Sequence, residues 1–118
     1  MKKSVPVSVV ETPEFLSATR KLMSDDERAL LVDYLAHNPM AGDLVQGTGG
    51  IRKVRWALDG RGKRGGARVI YFYHDADMPL FALTAYAKND QADLSQQDKN
   101  DFRQLTTMLV DAFKRRKP

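Results

Sequence analysis

The chain has no cysteine, two histidines and one tryptophan among 118 residues. The first absence excludes disulfides, Cys-ligated zinc and thiol catalysis, and it is compatible with the cytosol. His37 and His74 stand far apart with no metal-ligand spacing, so neither a metal nor any other cofactor is expected. No apolar run approaches the length needed to span a bilayer. Met1-Lys2-Lys3 resembles the basic start of a signal peptide, but Ser4–Val10 contains Pro6 and Ser8 and runs straight into Glu11. A cytoplasmic location is therefore expected. There is no G-x-x-x-x-G-K-[ST] phosphate loop, no internal repeat and no low-complexity block.

What is present is a concentrated positive charge. Residues 52–68 hold seven Lys or Arg (Arg52, Lys53, Arg55, Arg61, Lys63, Arg64 and Arg68) against one acid, Asp59. Acids slightly outnumber bases before this segment and equal them after it, so it supplies the whole surplus behind the net charge of +4. A loop that serves only solubility usually mixes its charge signs. A basic, glycine-rich hairpin suits a polyanion, and a phosphate backbone is the obvious candidate. Hydrophobic residues make up 42% of the chain, enough for one modest core and a single domain over residues 1–118.

Local patterns predict the elements. Val5, Val7, Val9 and Val10 read as a strand. Thr12-Pro13 reads as a helix cap with proline at the first helical position. Ser24-Asp25-Asp26-Glu27 is a capping box that opens a second helix, which Asn38-Pro39 ends. Ile51–Leu58, Ala67–His74 and Leu80–Ala87 predict a three-stranded antiparallel meander. Ser95 with Asp98 opens a C-terminal helix, whose apolar stripe is Phe102, Leu105, Met108, Leu109, Ala112 and Phe113. The class expected is α+β: an antiparallel sheet of about four strands, two N-terminal helices and one C-terminal helix, with the helices against one face of the sheet.

Gly60-Arg61-Gly62-Lys63-Arg64-Gly65 matches G-x-G-x-x-G, but a strand follows where a dinucleotide site needs a helix, so that function is rejected. Lys53 and Arg55 point to one face of their strand, and Tyr86 and Lys88 to one face of theirs. Leu83, Ala85 and Ala87 would take the opposite, helix-covered face. Several strands thus offer one open face the same cationic chemistry. Lys114–Lys117 reads more simply as a helix end whose cations suit the dipole.

The runs Gly49-Gly50-Ile51-Arg52-Lys53-Val54-Arg55, Gly62-Lys63-Arg64-Gly65-Gly66-Ala67-Arg68-Val69-Ile70-Tyr71, Tyr86-Ala87-Lys88-Asn89 and Asp93-Leu94-Ser95 resemble the RelE-type toxins of bacterial toxin–antitoxin systems, nearest to the HigB-like branch. The resemblance implies a small α+β fold with a basic active face and metal-free cleavage of messenger RNA in the ribosomal A site. It also implies neutralisation by a cognate antitoxin, with a helix-turn-helix protein of the HigA type as one form. By position, Lys53 and Arg55 match the family's basic strand residues, Arg68 its arginine before the aliphatic-aromatic run, and Tyr86 and Lys88 the branch's tyrosine and lysine. Arg55 stands where a family catalytic lysine is expected. Asn89 falls near a family arginine and Ser95 near a family tyrosine, which leaves the acid and base open.

RNA carries its own nucleophile, the 2′-hydroxyl. An enzyme need only orient it, stabilise the phosphorane charge and protonate the leaving oxygen. Arg68 and Arg55 suit the phosphate, Lys53 or Lys88 the base, and Tyr86 stacking or orientation. Arg52, Arg61, Lys63 and Arg64 suit backbone contacts. The rivals are a ParE-like gyrase inhibitor, a non-catalytic RNA-binding module and a toxin that has lost its activity.

Overall fold

The computed structural model describes residues 5–58, 66–88 and 93–116, with Arg116 as backbone alone. The elements run β1 (Val9–Glu11), α1 (Pro13–Arg20), α2 (Asp25–His37), β2 (Asp43–Leu44), β3 (Ile51–Trp56), β4 (Ala67–Phe72), β5 (Leu80–Ala87) and α3 (Gln96–Arg116). They form one α+β unit around a five-stranded sheet in the order β1-β5-β4-β3-β2.

The helix starts obey local chemistry. Thr12 caps α1 by accepting from Phe15 N at 3.2 Å, and its hydroxyl donates to the Ala82 carbonyl at 2.9 Å, fastening the cap to β5. At α2, Ser24 Oγ accepts from Glu27 N while Glu27 Oε1 accepts from Ser24 N, the reciprocal pair expected. Ser95 and Asp98 repeat the device at α3, at 3.0 and 3.1 Å.

Three expectations need correction. β1 is only Val9–Glu11, and it pairs in parallel with β5. A two-residue strand, β2, adds itself to the other edge of the meander. Most important, helices cover both faces of the sheet. On one face Phe15, Leu31 and Leu35 from α1 and α2 pack on Val69, Tyr71, Leu80, Ala82 and Ala85. On the other, Phe102, Leu105, Leu109, Val110 and Phe113 from α3 pack on Ile51, Ile70, Phe72, Phe81 and Leu83. Every residue of β4 is consequently buried, and a strand buried on both faces needs no polar alternation.

Leu83 lies on the α3 side together with Tyr86, not with Ala85 as alternation requires. The cause is a register shift. Ile70 pairs with Thr84 but Tyr71 pairs with Ala82, which leaves Leu83 without a partner residue and changes the side it faces. On α3, Met108 is 67% exposed and Val110 packs inward instead.

Two glycines allow close approaches. A Cβ on Gly49 (φ +76°) would fall 2.6 Å from Thr106 Oγ1, so this glycine lets α3 lie on the turn before β3. There the Thr106 hydroxyl donates to the Thr48 carbonyl at 3.0 Å. At Gly66 (φ +53°), just before β4, a Cβ would fall 2.5 Å from the Trp56 carbonyl.

Candidate active site

The β3–β4–β5 register sets the site. Arg55 pairs with Arg68, and Arg68 with Tyr86, so three polar side chains form a row across three strands on one face. Lys53 lies two residues back on β3, on the same face, directly opposite Asp43 of β2. The face changes character along its length. Ile51, Ile70 and Phe72 meet α3, while the other end carries Lys53, Arg55, Arg68 and Tyr86.

That end opens into a hollow of about 440 Å³ lined by Ala41, Asp43, Lys53, Val54, Arg55 and Arg68. A hollow of about 460 Å³ elsewhere, between Val5–Ser8 and Ala76–Pro79, is lined by no cation. Arg68 is only 8% exposed, so an anion that reached its guanidinium would be screened less by solvent than at a surface cation. Arg55 is exposed and free to reach a ligand.

Tyr86 completes the row with its hydroxyl inside. Its Oη is buried and has no hydrogen-bond partner among the described residues. Burial pushes its pKa up, opposed in part by Lys53 and Arg68, so it stays a neutral hydroxyl with a donor to offer. Lys53 Nζ pairs with Asp93 Oδ1 at 3.2 Å. Asp93 is held below the usual carboxylate range by the Leu94 N–H, which donates to it at 2.8 Å, and by Lys53.

Of the residues singled out in the sequence, Lys53, Arg55 and Arg68 share the hollow, and Tyr86 adjoins them in register. Lys88 lies two residues beyond Tyr86, exposed at the end of β5, its backbone N–H bonded to Gly66 O at 3.3 Å. Arg52 is not brought to this face. It points to the opposite side of β3, where its Nη1 donates to Gly42 O at 2.7 Å and Met40 O at 3.3 Å. Arg61, Lys63, Arg64 and Asn89 lie outside the described residues. Among the described residues no cluster of three His, Asp or Glu could hold a metal ion, and no helix is long and apolar enough to cross a membrane.

Sequence reasoning gives no role to two carboxylates, Asp43 and Asp93, although Asp93 lies in one of the family-like runs. Asp43 sits on a strand too short to read from a pattern, and Asp93 is 40 residues from the lysine it pairs with. By sequence Tyr71 is only a strand residue. Its buried hydroxyl donates to Pro39 O at 2.9 Å and accepts from Gly42 N at 2.8 Å, so it holds the segment that leads to Asp43.

A family model described as the RelE toxin of the RelE/RelB toxin–antitoxin system matches residues 9–116, from the start of β1 to the end of α3. The match includes every strand and helix around the hollow. The chain therefore belongs to the RelE toxin family, as the toxin of a toxin–antitoxin pair whose other member is its cognate antitoxin.

Proposed function

We propose that the chain is a messenger RNA endonuclease that acts on the ribosome without a metal ion and so stops translation. One observation carries this: Lys53, Arg55 and Arg68, from two neighbouring strands, converge on one solvent-open hollow, and Tyr86, next to Arg68 in register, has a buried hydroxyl with no partner among the described residues. A phosphate caught there meets two guanidinium forks, each able to bind two oxygens and each permanently charged. As the 2′-hydroxyl attacks, negative charge grows on the phosphorane. Donors already in place stabilise it without reorganising. The neutral Tyr86 hydroxyl donates to a phosphate oxygen or orients the 2′-hydroxyl. Lys88, at the open end of β5, is the candidate to move the proton. Arg61, Lys63 and Arg64 add salt-sensitive contacts to the RNA backbone. Arg52 takes no part, because its guanidinium is engaged by the Met40 and Gly42 carbonyls.

The test is induction in bacteria followed by mapping of transcript ends. New 5′ ends within translated messages are expected, and cleavage by purified protein on programmed ribosomes should persist in chelator. Lys88→Ala should abolish both cleavage and growth arrest. Intact transcripts with altered DNA supercoiling would instead establish the gyrase-inhibitor rival. Strict dependence on added Mg²⁺ would reject the metal-free chemistry.

A further inference from the structure

The ion pair between Lys53 and Asp93 joins β3 to the segment just before α3, across 40 residues. It is partly exposed, at 30% for the lysine side chain and 61% for the aspartate. Pairs this exposed add little to stability. Its consequence is positional. Lysine carries a point charge on four rotatable bonds, and an unrestrained ammonium samples many places. Asp93 is itself held: the same oxygen, Oδ1, accepts from Leu94 N, and Leu94 is buried in the cluster beneath α3. The capped start of α3 follows directly. An anchored carboxylate therefore grips the free end of Lys53. It also offsets the repulsion among Lys53, Arg55 and Arg68 in one hollow.

We propose that Asp93 is a positioning residue for the anion site: by its 3.2 Å contact it fixes the Lys53 ammonium at the wall of the hollow that holds Arg55 and Arg68. Lys53 then meets the scissile phosphate as a placed cation and does not take the proton of the 2′-hydroxyl. The catalytic part of this inference rests on the nuclease proposal above; the tether itself does not. The placement is made before substrate arrives, which is what lowers the reorganisation cost of the reaction.

The experiment is a double-mutant cycle with the full chain on programmed ribosomes. Asp93→Asn removes the charge and keeps an acceptor for Leu94 N. It should lower kcat about tenfold, with a smaller change in KM, and should have no further effect once Lys53→Met is present. Equal losses from Asp93→Asn in both backgrounds would overturn the inference, because an aspartate that served only the fold would act independently of Lys53. A second readout is the carbon-13 titration of the Asp93 carboxyl, which Lys53→Met should move upward. No movement would also overturn it. This arm leaves Asp93 in place, so it decides the matter if Asp93→Asn fails to fold. If the wild-type protein cleaves nothing, the nuclease proposal falls, and the titration alone upholds or overturns the tether.

Discussion

Arg68 is the enclosed member of the cationic row, on a strand covered from both sides. Its flat guanidinium can bind two phosphate oxygens at once, and an ammonium cannot reproduce that geometry. Arg68→Lys keeps the charge and much of the stem. It should still lose cleavage by about a hundredfold, the usual loss when one transition-state donor is removed. Single-turnover cleavage on programmed ribosomes measures this, with circular dichroism as the check on folding. Tyr86→Phe separates chemistry from packing. The hydroxyl has no partner among the described residues, so its removal should leave the thermal midpoint unchanged or slightly higher. If that hydroxyl donates to the substrate, cleavage should fall about tenfold or more. Unchanged cleavage would remove Tyr86 from the site. Both residues were legible in the chain: Arg68 ends the basic run of residues 52–68, and Tyr86, on β5, stands two before Lys88.

At the scale of elements, α3 and the β2–β3 turn hold each other. Thr106 is buried on α3, and its hydroxyl bonds the Thr48 carbonyl at 3.0 Å. Thr48 Oγ1 in turn donates to Val45 O and accepts from Ile51 N, which sets the entry to β3. Thr106→Val keeps the shape and removes the bond. It should cost about 1–2 kcal/mol, read as a lower urea midpoint with an unchanged slope. No change would mean that apolar packing alone seats the helix. The helix itself was legible, since Ser95 and Asp98 announce its start within four residues. Its destination was not. An apolar stripe says that one face is covered, but not which side of a sheet covers it. The burial of β4 on both sides and the turning of Leu83 at the register shift show the same limit.

The whole molecule combines a cationic hollow with two tyrosines, one fully buried (Tyr71) and one partly buried with its hydroxyl enclosed (Tyr86). Burial raises the pKa of Tyr71 and of Tyr86, so the folded state favours their neutral forms. Each therefore contributes stability that is complete below the unfolded tyrosine value of about 10 and is lost as pH rises through the folded value. Denaturant midpoints should hold steady from about pH 7 to 9 and fall beyond about pH 10. Tyr86→Phe should flatten part of that fall. Asp93 works at the other end of the scale. Its lowered pKa gives a contribution present above the ordinary carboxylate value and lost as pH drops through the folded one. Lys53→Met should soften that acid limb. The charge surplus of residues 52–68 and the antiparallel meander are features of the whole chain, and both were visible in its order.

The amino-acid order by itself determined what acts over a few residues. The caps at Thr12, Ser24 and Ser95, the break at Pro39, the alternation along β3 and the clustering of basic residues all depend on near neighbours. Tertiary structure alone decided the contacts that join distant segments. It set the parallel pairing of β1 with β5, the alignment of Arg55 with Arg68 and Tyr86, and the approach of Asp93 to Lys53. Strand register and helix placement follow from how the apolar surfaces of the entire chain are buried together, and no local window contains that information.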